Sequence, residues 1–403
     1  MLKRVLFSYL VIVVVLSNIL MLSVYALPKE HEFNAQTVIK IMSGTNISEL
    51  KAKALTLIDA STGQVLYEKN SDERLPIASV TKVMSMLLIM EALDSGRISM
   101  EDMVTTSEYA AGMGGSQAYI EQGEQFQVKE ALKAVALHSS NDVTVSLAEL
   151  VAGSEESFVV MMNEKAKELG MKNTKFLDCT GLTDIDHYSS AHDVALMSRE
   201  LVTKHPRILE FTSIWMDTFR DGKFELVNTN RLVRFYKGEV DGLKTGFTNA
   251  AGFCLAATAK RNGMRLISVV LGEADTNTRF AESKKLLDYG FANYESIQVN
   301  NKGDEVSEFD VKKGINRTAK ALYANDVKLL LSRGEKGNVK NEVKLEESIS
   351  APVKTGQKVG EVIYSVNDKE IARVDLVSDR DVDKASFGRL FVKMVLSWFN
   401  VGR

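Results

Sequence analysis

Ser79 and Lys82 stand three residues apart in PIASVTKVMS, at the start of an apolar run that continues at helical spacing to Gly96. A serine hydroxyl is a weak nucleophile until a base within hydrogen-bond reach takes its proton. A lysine becomes such a base when burial or a second cation lowers its pKa. The spacing puts both side chains one turn apart on the same helix face. The helix start also favours negative charge developing at Ser79 and at an oxyanion beside it. Taken alone, Ser-x-x-Lys is a frequent chance pattern, and a serine that opens a helix is ordinarily its N-cap.

Two further stretches carry matching chemistry. In HSSND, Ser139 and Asn141 fall in the break between two helical patterns, where a loop can bring both side chains to one point. Asn141 offers an amide N–H to a substrate carbonyl and an oxygen to a lysine, and Ser139 can relay a proton between Lys82 and a leaving amine. The ordinary reading is a capping stretch, with Ser140 or Asn141 starting the next helix. In DGLKTGFTNAAGFCLAATA, Lys244-Thr245-Gly246 precedes a long apolar β run. Lys244 supplies a cation that can depress Lys82 and attract an anionic substrate end, while Thr245 and Thr248 offer hydroxyls to a carboxylate. Gly246, without a Cβ, lets a substrate backbone approach the strand edge. A second Lys-Thr-Gly at Lys354 has no such run behind it, follows Pro352, and reads as a turn.

The elements that must hold these residues are legible in outline. KALTLIDA and VLYEKN read as strands around STGQ; the chain between Val128 and Lys204 reads mostly as helices. GFCLAATAK and MRLISVVLG read as two strands joined by a tight RNG turn, followed by a closing helix to Tyr294. Strands at both ends of residues 48–294, with helices between, predict one sheet with flanking helices and a helical subdomain. Residues 295–383 change to short alternating runs with Gly, Asn and Asp turns, which predicts a small β-rich domain.

The termini differ from the body. Residues 1–26 combine Lys3 and Arg4 with a long apolar run and the small-residue end Val24-Tyr25-Ala26, which reads as a secretory signal. The run is also long enough to span a bilayer, so an uncleaved anchor is the alternative. Residues 27–47 form a lead-in. In 384–403, Phe387, Leu390, Phe391, Met394, Val395, Trp398 and Phe399 share one helix face, with Arg389, Lys393, Ser397 and Asn400 opposite. That suits a helix lying on a membrane surface; the alternative is a helix packed on its own domain. A net charge of -3 with scattered basic residues gives no argument for nucleic acid. Cys179 and Cys254, in an exported chain, form at most one disulfide and read as small buried hydrophobes.

Ser-x-x-Lys, Ser-x-Asn and Lys-Thr-Gly at 79, 139 and 244 form, in that order and on helix start, interhelical loop and strand, the motif set of penicillin-binding proteins and class A β-lactamases. With longer stretches such as LTLIDASTGQVLYEKNSDERLPIASVTKVMS and LGMKNTKFLDCTGLTDIDHYSSAHDVALMSREL, the chain resembles the low-molecular-mass penicillin-binding proteins of peptidase family S11, which act as serine D-alanyl-D-alanine carboxypeptidases. The resemblance covers nearly all of residues 48–403, departing at Cys179, where relatives often carry proline, and at Ser140. It implies the α/β (α+β) penicillin-binding/β-lactamase-like transpeptidase fold, no metal and no cofactor. By the same resemblance, Ser79 is the acyl-forming nucleophile, Lys82 its base, and Ser139 and Asn141 its assistants. Lys244, Thr245 and the neighbouring Gly246, Phe247 and Thr248 receive the D-Ala-D-Ala end of a peptidoglycan stem peptide. The N–H groups of Ser79 and Phe247 form the oxyanion hole, and β-lactams acylate Ser79 as inhibitors. The implied location is the outer face of the bacterial cytoplasmic membrane. A β-lactamase on the same scaffold needs a Glu-x-x-Leu-Asn stretch that is missing between the second and third motifs; a transpeptidase or D,D-endopeptidase differs only in acceptor or bond, and a catalytically dead wall-binding protein has no reason to keep Ser79, Lys82, Asn141 and Lys244.

Overall fold

A computed structural model describes residues 47–183, 185–386 and 388. The leader expected over 1–26, nearly all of the lead-in over 27–47 and most of the terminal helix expected over 384–403 lie outside the described residues. Five strands, β1 (Ala54–Asp59), β2 (Val65–Lys69), β3 (Val240–Thr248), β4 (Gly252–Arg261) and β5 (Met264–Glu273), form one antiparallel sheet in the order β2-β1-β5-β4-β3. Ala54 pairs with Leu271 and Asp59 with Leu266, so strands from the two ends of the region do meet.

Along β4 and β5 successive residues enter different cores. Cys254, Ala256, Ile267 and Val269 face one, and Leu255, Ala257, Leu266 and Val270 face the other. The two-residue period of a strand makes this split, and helices on both faces leave no polar side. The first core holds α1 (Lys82–Asp94), α2 (Asn141–Ala152), α3 (Glu155–Glu168) and α4 (Ala191–Lys204). The second is closed by α5 (Thr276–Asn293) through Phe280, Leu286, Leu287 and Phe291. α1 is buried all round from Lys82 to Met90, as a helix through the middle of a helical block must be.

Strands between Tyr294 and Ser378 build a two-stranded and a six-stranded sheet around their own core, which includes Val311, Ala321, Leu329, Val359, Val362 and Leu376. The second Lys-Thr-Gly lies there in an exposed turn. The Gln357 N–H donates to the Lys354 carbonyl at 3.0 Å, and Asp381 accepts from both Lys354 Nζ and the Thr355 N–H.

Candidate active site

Ser79 lies in a 3-10 turn, Ala78–Thr81, that runs into α1 at Lys82, rather than in the helix itself. With three residues per turn the two side chains eclipse. Lys82 Nζ is 3.1 Å from Ser79 Oγ, 2.6 Å from Asn141 Oδ1 and 2.9 Å from the Thr180 carbonyl. The last two oxygens can only accept, whereas a hydroxyl can also donate. A neutral amine therefore spends its two hydrogens on Asn141 and Thr180 and turns its lone pair toward the Ser79 hydroxyl. Burial pushes Lys82 down to about 8, against the opposing charges of Cys179, Asp178 and Asp142. Lys244 is likewise enclosed and is held well below the usual lysine range, by burial first and then by the charges of Lys82 and Arg279; the repulsion between the two lysines disfavours the charged form of each.

The second motif begins after a π turn, Ala134–His138. Ser139 follows in the left-handed region at φ 68°, and its buried Oγ has no hydrogen-bond partner among the described residues. Asn141 opens α2, with Nδ2 donating to the Gly114 carbonyl at 2.7 Å. One amide thus ties Lys82 to the 114–120 loop, which the Asp142 carboxylate also holds through the Ala118 and Ile120 N–H groups.

Lys244 to Thr248 lie on β3, an edge strand of the sheet and therefore open to a further strand. Lys244 Nζ donates to the Thr245 carbonyl at 3.0 Å, and Thr245 Oγ1 donates to Thr229 Oγ1 at 2.7 Å. Thr248 Oγ1 accepts the Ala251 N–H at 3.1 Å in the turn to β4. Phe247 is half exposed and packs on Phe253 with ring centroids 4.3 Å apart. Gly246 also has a packing role. A Cβ there would come within 2.6 Å of the Ile77 carbonyl and 3.1 Å of the Ser79 and Val80 nitrogens, so the missing side chain makes room for the Ser79 turn itself. Ser79, Ser139, Thr245, Gly246 and Phe247 line one cleft of about 900 Å³, and Lys244 on the same strand is buried.

Five groups at this site are absent from the motif reading. The Thr180 carbonyl is the third partner of Lys82. Asp178 holds the loop that carries it, with Oδ1 accepting the N–H groups of Thr180 and Gly181 and Oδ2 that of Thr183. Gly181, at φ 77°, has no room for a Cβ, which would overlap the Ala78 carbonyl. His187 accepts the Leu177 N–H at Nδ1, so its proton sits on Nε2 and is donated to Thr81 Oγ1 at 2.8 Å. Asp followed by Thr-Gly is an Asx-turn signal that marks the loop, but nothing local says that the turn reaches Lys82. The buried Arg279 on α5 donates to the Gly246 carbonyl at 3.2 Å and had no sequence signal. Both cysteines are buried free thiols.

The pattern of the D-alanyl-D-alanine carboxypeptidase family matches residues 41–275, and that of the penicillin-binding protein 5 C-terminal domain matches 294–384. The chain is 46% identical over 361 residues to D-alanyl-D-alanine carboxypeptidase DacF of Bacillus subtilis, covering 88% of this chain and 92% of that one. Penicillin binding protein 5 of Haemophilus influenzae superposes with a TM-score of 0.76 at 35% identity, covering 83% of this chain and 98% of its own. Penicillin-binding protein D2 of Listeria monocytogenes, solved in its ampicillin-bound form, matches 60% of this chain and 98% of its own at 35% identity and a TM-score of 0.55. With the Ser79 turn, the interhelical Ser139 loop and an edge strand around one cleft, the chain belongs to the D-alanyl-D-alanine carboxypeptidase family of serine peptidases.

Proposed function

We propose that the protein is a serine D-Ala-D-Ala carboxypeptidase that trims the terminal D-alanine from peptidoglycan pentapeptide stems through an acyl-enzyme on Ser79. The observation that carries this reading is the Lys82 amine, held by two obligate acceptors with its remaining direction on Ser79 Oγ at 3.1 Å. Lys82 takes the Ser79 proton as Oγ bonds to the carbonyl carbon of the penultimate residue. The oxyanion is received by the N–H groups of Ser79 and Phe247. The unpartnered Ser139 hydroxyl passes the proton to the departing amine, and water then releases the tetrapeptide and restores Ser79. Lys244, Thr245 and the adjacent Arg279 favour the terminal carboxylate, since among the described residues no acidic side chain lines the cleft to compete with it. A β-lactam enters by the same attack and leaves slowly, because its leaving amine stays tethered.

The leader over 1–26 supports export, and the amphipathic stretch over 384–403 supports attachment to the membrane surface with the cleft on the outer side. No described helix is long and apolar enough to cross a membrane. Intact mass after penicillin treatment tests the assignment. One adduct per chain on the Ser79 peptide is expected, and Ser79→Ala abolishes both the adduct and D-alanine release. Retained turnover in that variant removes the nucleophile assignment.

A further inference from the structure

The cleft, at about 900 Å³, is far larger than a leaving alanine. Asn228 Nδ2 donates to the Thr212 and Ile214 carbonyls, Asn230 Nδ2 donates to the Gly242 carbonyl at 3.0 Å, and Thr229 meets Thr245. These bonds fix residues 228–230 along the Gly242–Thr245 half of β3, the half that takes the carboxylate of the leaving residue in the reading above. The short helix Arg231–Phe235 continues from that frame, with Arg231 and Arg234 exposed in the cleft wall. Arg234 lies over the Trp215 ring at 5.3 Å and the Phe235 ring at 5.9 Å, which holds its guanidinium in place. Among the described residues neither arginine has an ion-pair partner, and no aspartate or glutamate lines the cleft. Arg279 lines the same cleft, and burial lowers its guanidinium to about 10, with the charge of Arg231 acting in the same direction. A cleft end with three cations, two aromatic faces and no acid is complementary to an anion beyond the one that the terminal carboxylate supplies.

We infer that residues 229–235 form a leaving-group subsite for a residue longer than alanine that carries a second carboxylate, so that the enzyme also cleaves acyl-D-Ala bonds to D-configured dicarboxylic residues. The inference rests on the carboxypeptidase reading. The chemistry is unchanged: Ser79 Oγ bonds to the acyl carbon, the C–N bond breaks, the amine leaves with the proton taken from Ser79, and water hydrolyses the ester. What changes is the group that departs.

The test compares N-acylated D-Ala-D-Ala, D-Ala-D-Gln and D-Ala-D-Glu peptides with the full-length native enzyme and with an Arg231→Gln/Arg234→Gln double variant. D-Glu and D-Gln are nearly isosteric and differ in charge, so their kcat/KM ratio isolates the subsite. Exposed ion pairs of this kind support a preference of about fivefold for D-Glu. Added salt should reduce the ratio, and the double variant should bring it to about one; each variant's penicillin adduct verifies its fold. A native ratio of one, or a preference that survives in the double variant, overturns the subsite. Failure to release D-alanine from D-Ala-D-Ala overturns the carboxypeptidase reading itself and the subsite with it.

Discussion

Replacing Gly246 by alanine tests whether the strand and the nucleophile turn are as closely fitted as the geometry requires. Gly246 has an ordinary strand conformation, so the substitution strains no backbone angle, and its effect is purely steric. The new Cβ would sit 2.6 Å from the Ile77 carbonyl oxygen, where ordinary contacts begin at 3.4 Å. The obstacle is backbone, not the end of a flexible side chain, so the turn carrying Ser79 must retreat by about 0.8 Å. A shift of that size takes the 3.1 Å contact between Ser79 Oγ and Lys82 Nζ out of hydrogen-bond range. Misplacement on the order of 1 Å costs roughly a hundredfold in rate, and overpacking of this kind costs about 1–3 kcal/mol of stability. The acylation rate with a fluorescent penicillin should fall about a hundredfold while thermal unfolding remains cooperative. Gly337→Ala, where the added Cβ meets nothing, is the control. Acylation of Gly246→Ala within threefold of the native rate refutes the packing argument, as does an equal loss in the control.

Three other outcomes follow from the same geometry. Because Lys82 acts as a base only when neutral and burial sets it at about 8, the acylation rate should rise with pH through that value and fall about tenfold per unit well below it; a flat profile between about pH 6 and 10 excludes Lys82 as the base. Asp178→Ala leaves buried N–H groups of Thr180 and Gly181 without their acceptor, so unfolding stability should drop by about 3 kcal/mol and acylation should slow as the Thr180 carbonyl loses its place; an unchanged denaturation midpoint contradicts the role given to that loop. Removing residues 386–403 should release the protein from membranes and leave its activity on a soluble peptide within twofold; a truncated protein that sediments with membranes points to the N-terminal segment as the anchor.

The identity of the chemistry and the sheet-with-helices plan could be read from the sequence, because both are local. A Ser-x-x-Lys at a helix start is defined by a few bonds of chain, and β4 and β5 announce themselves by continuous apolar runs whose alternate residues need opposite cores. Likewise the copy at Lys354 was recognisable as a turn, since the residues around it lack the run a cleft strand needs. Contacts between distant segments were not legible. Thr180 lies 98 residues from Lys82, and the Gly242 carbonyl that anchors Asn230 is 12 away across a turn of the chain. Asp178, Gly181 and His187 carry ordinary turn and core signatures, and only their approach to Thr81 and Ala78 gives them a place at the site. The pKa of Lys82 belongs with these, because the burial that lowers it exists only once distant segments have packed around it. Sequence alone determined which atoms could react; folding decided which way the lone pair of Lys82 points, because direction comes from acceptors that the chain supplies from elsewhere.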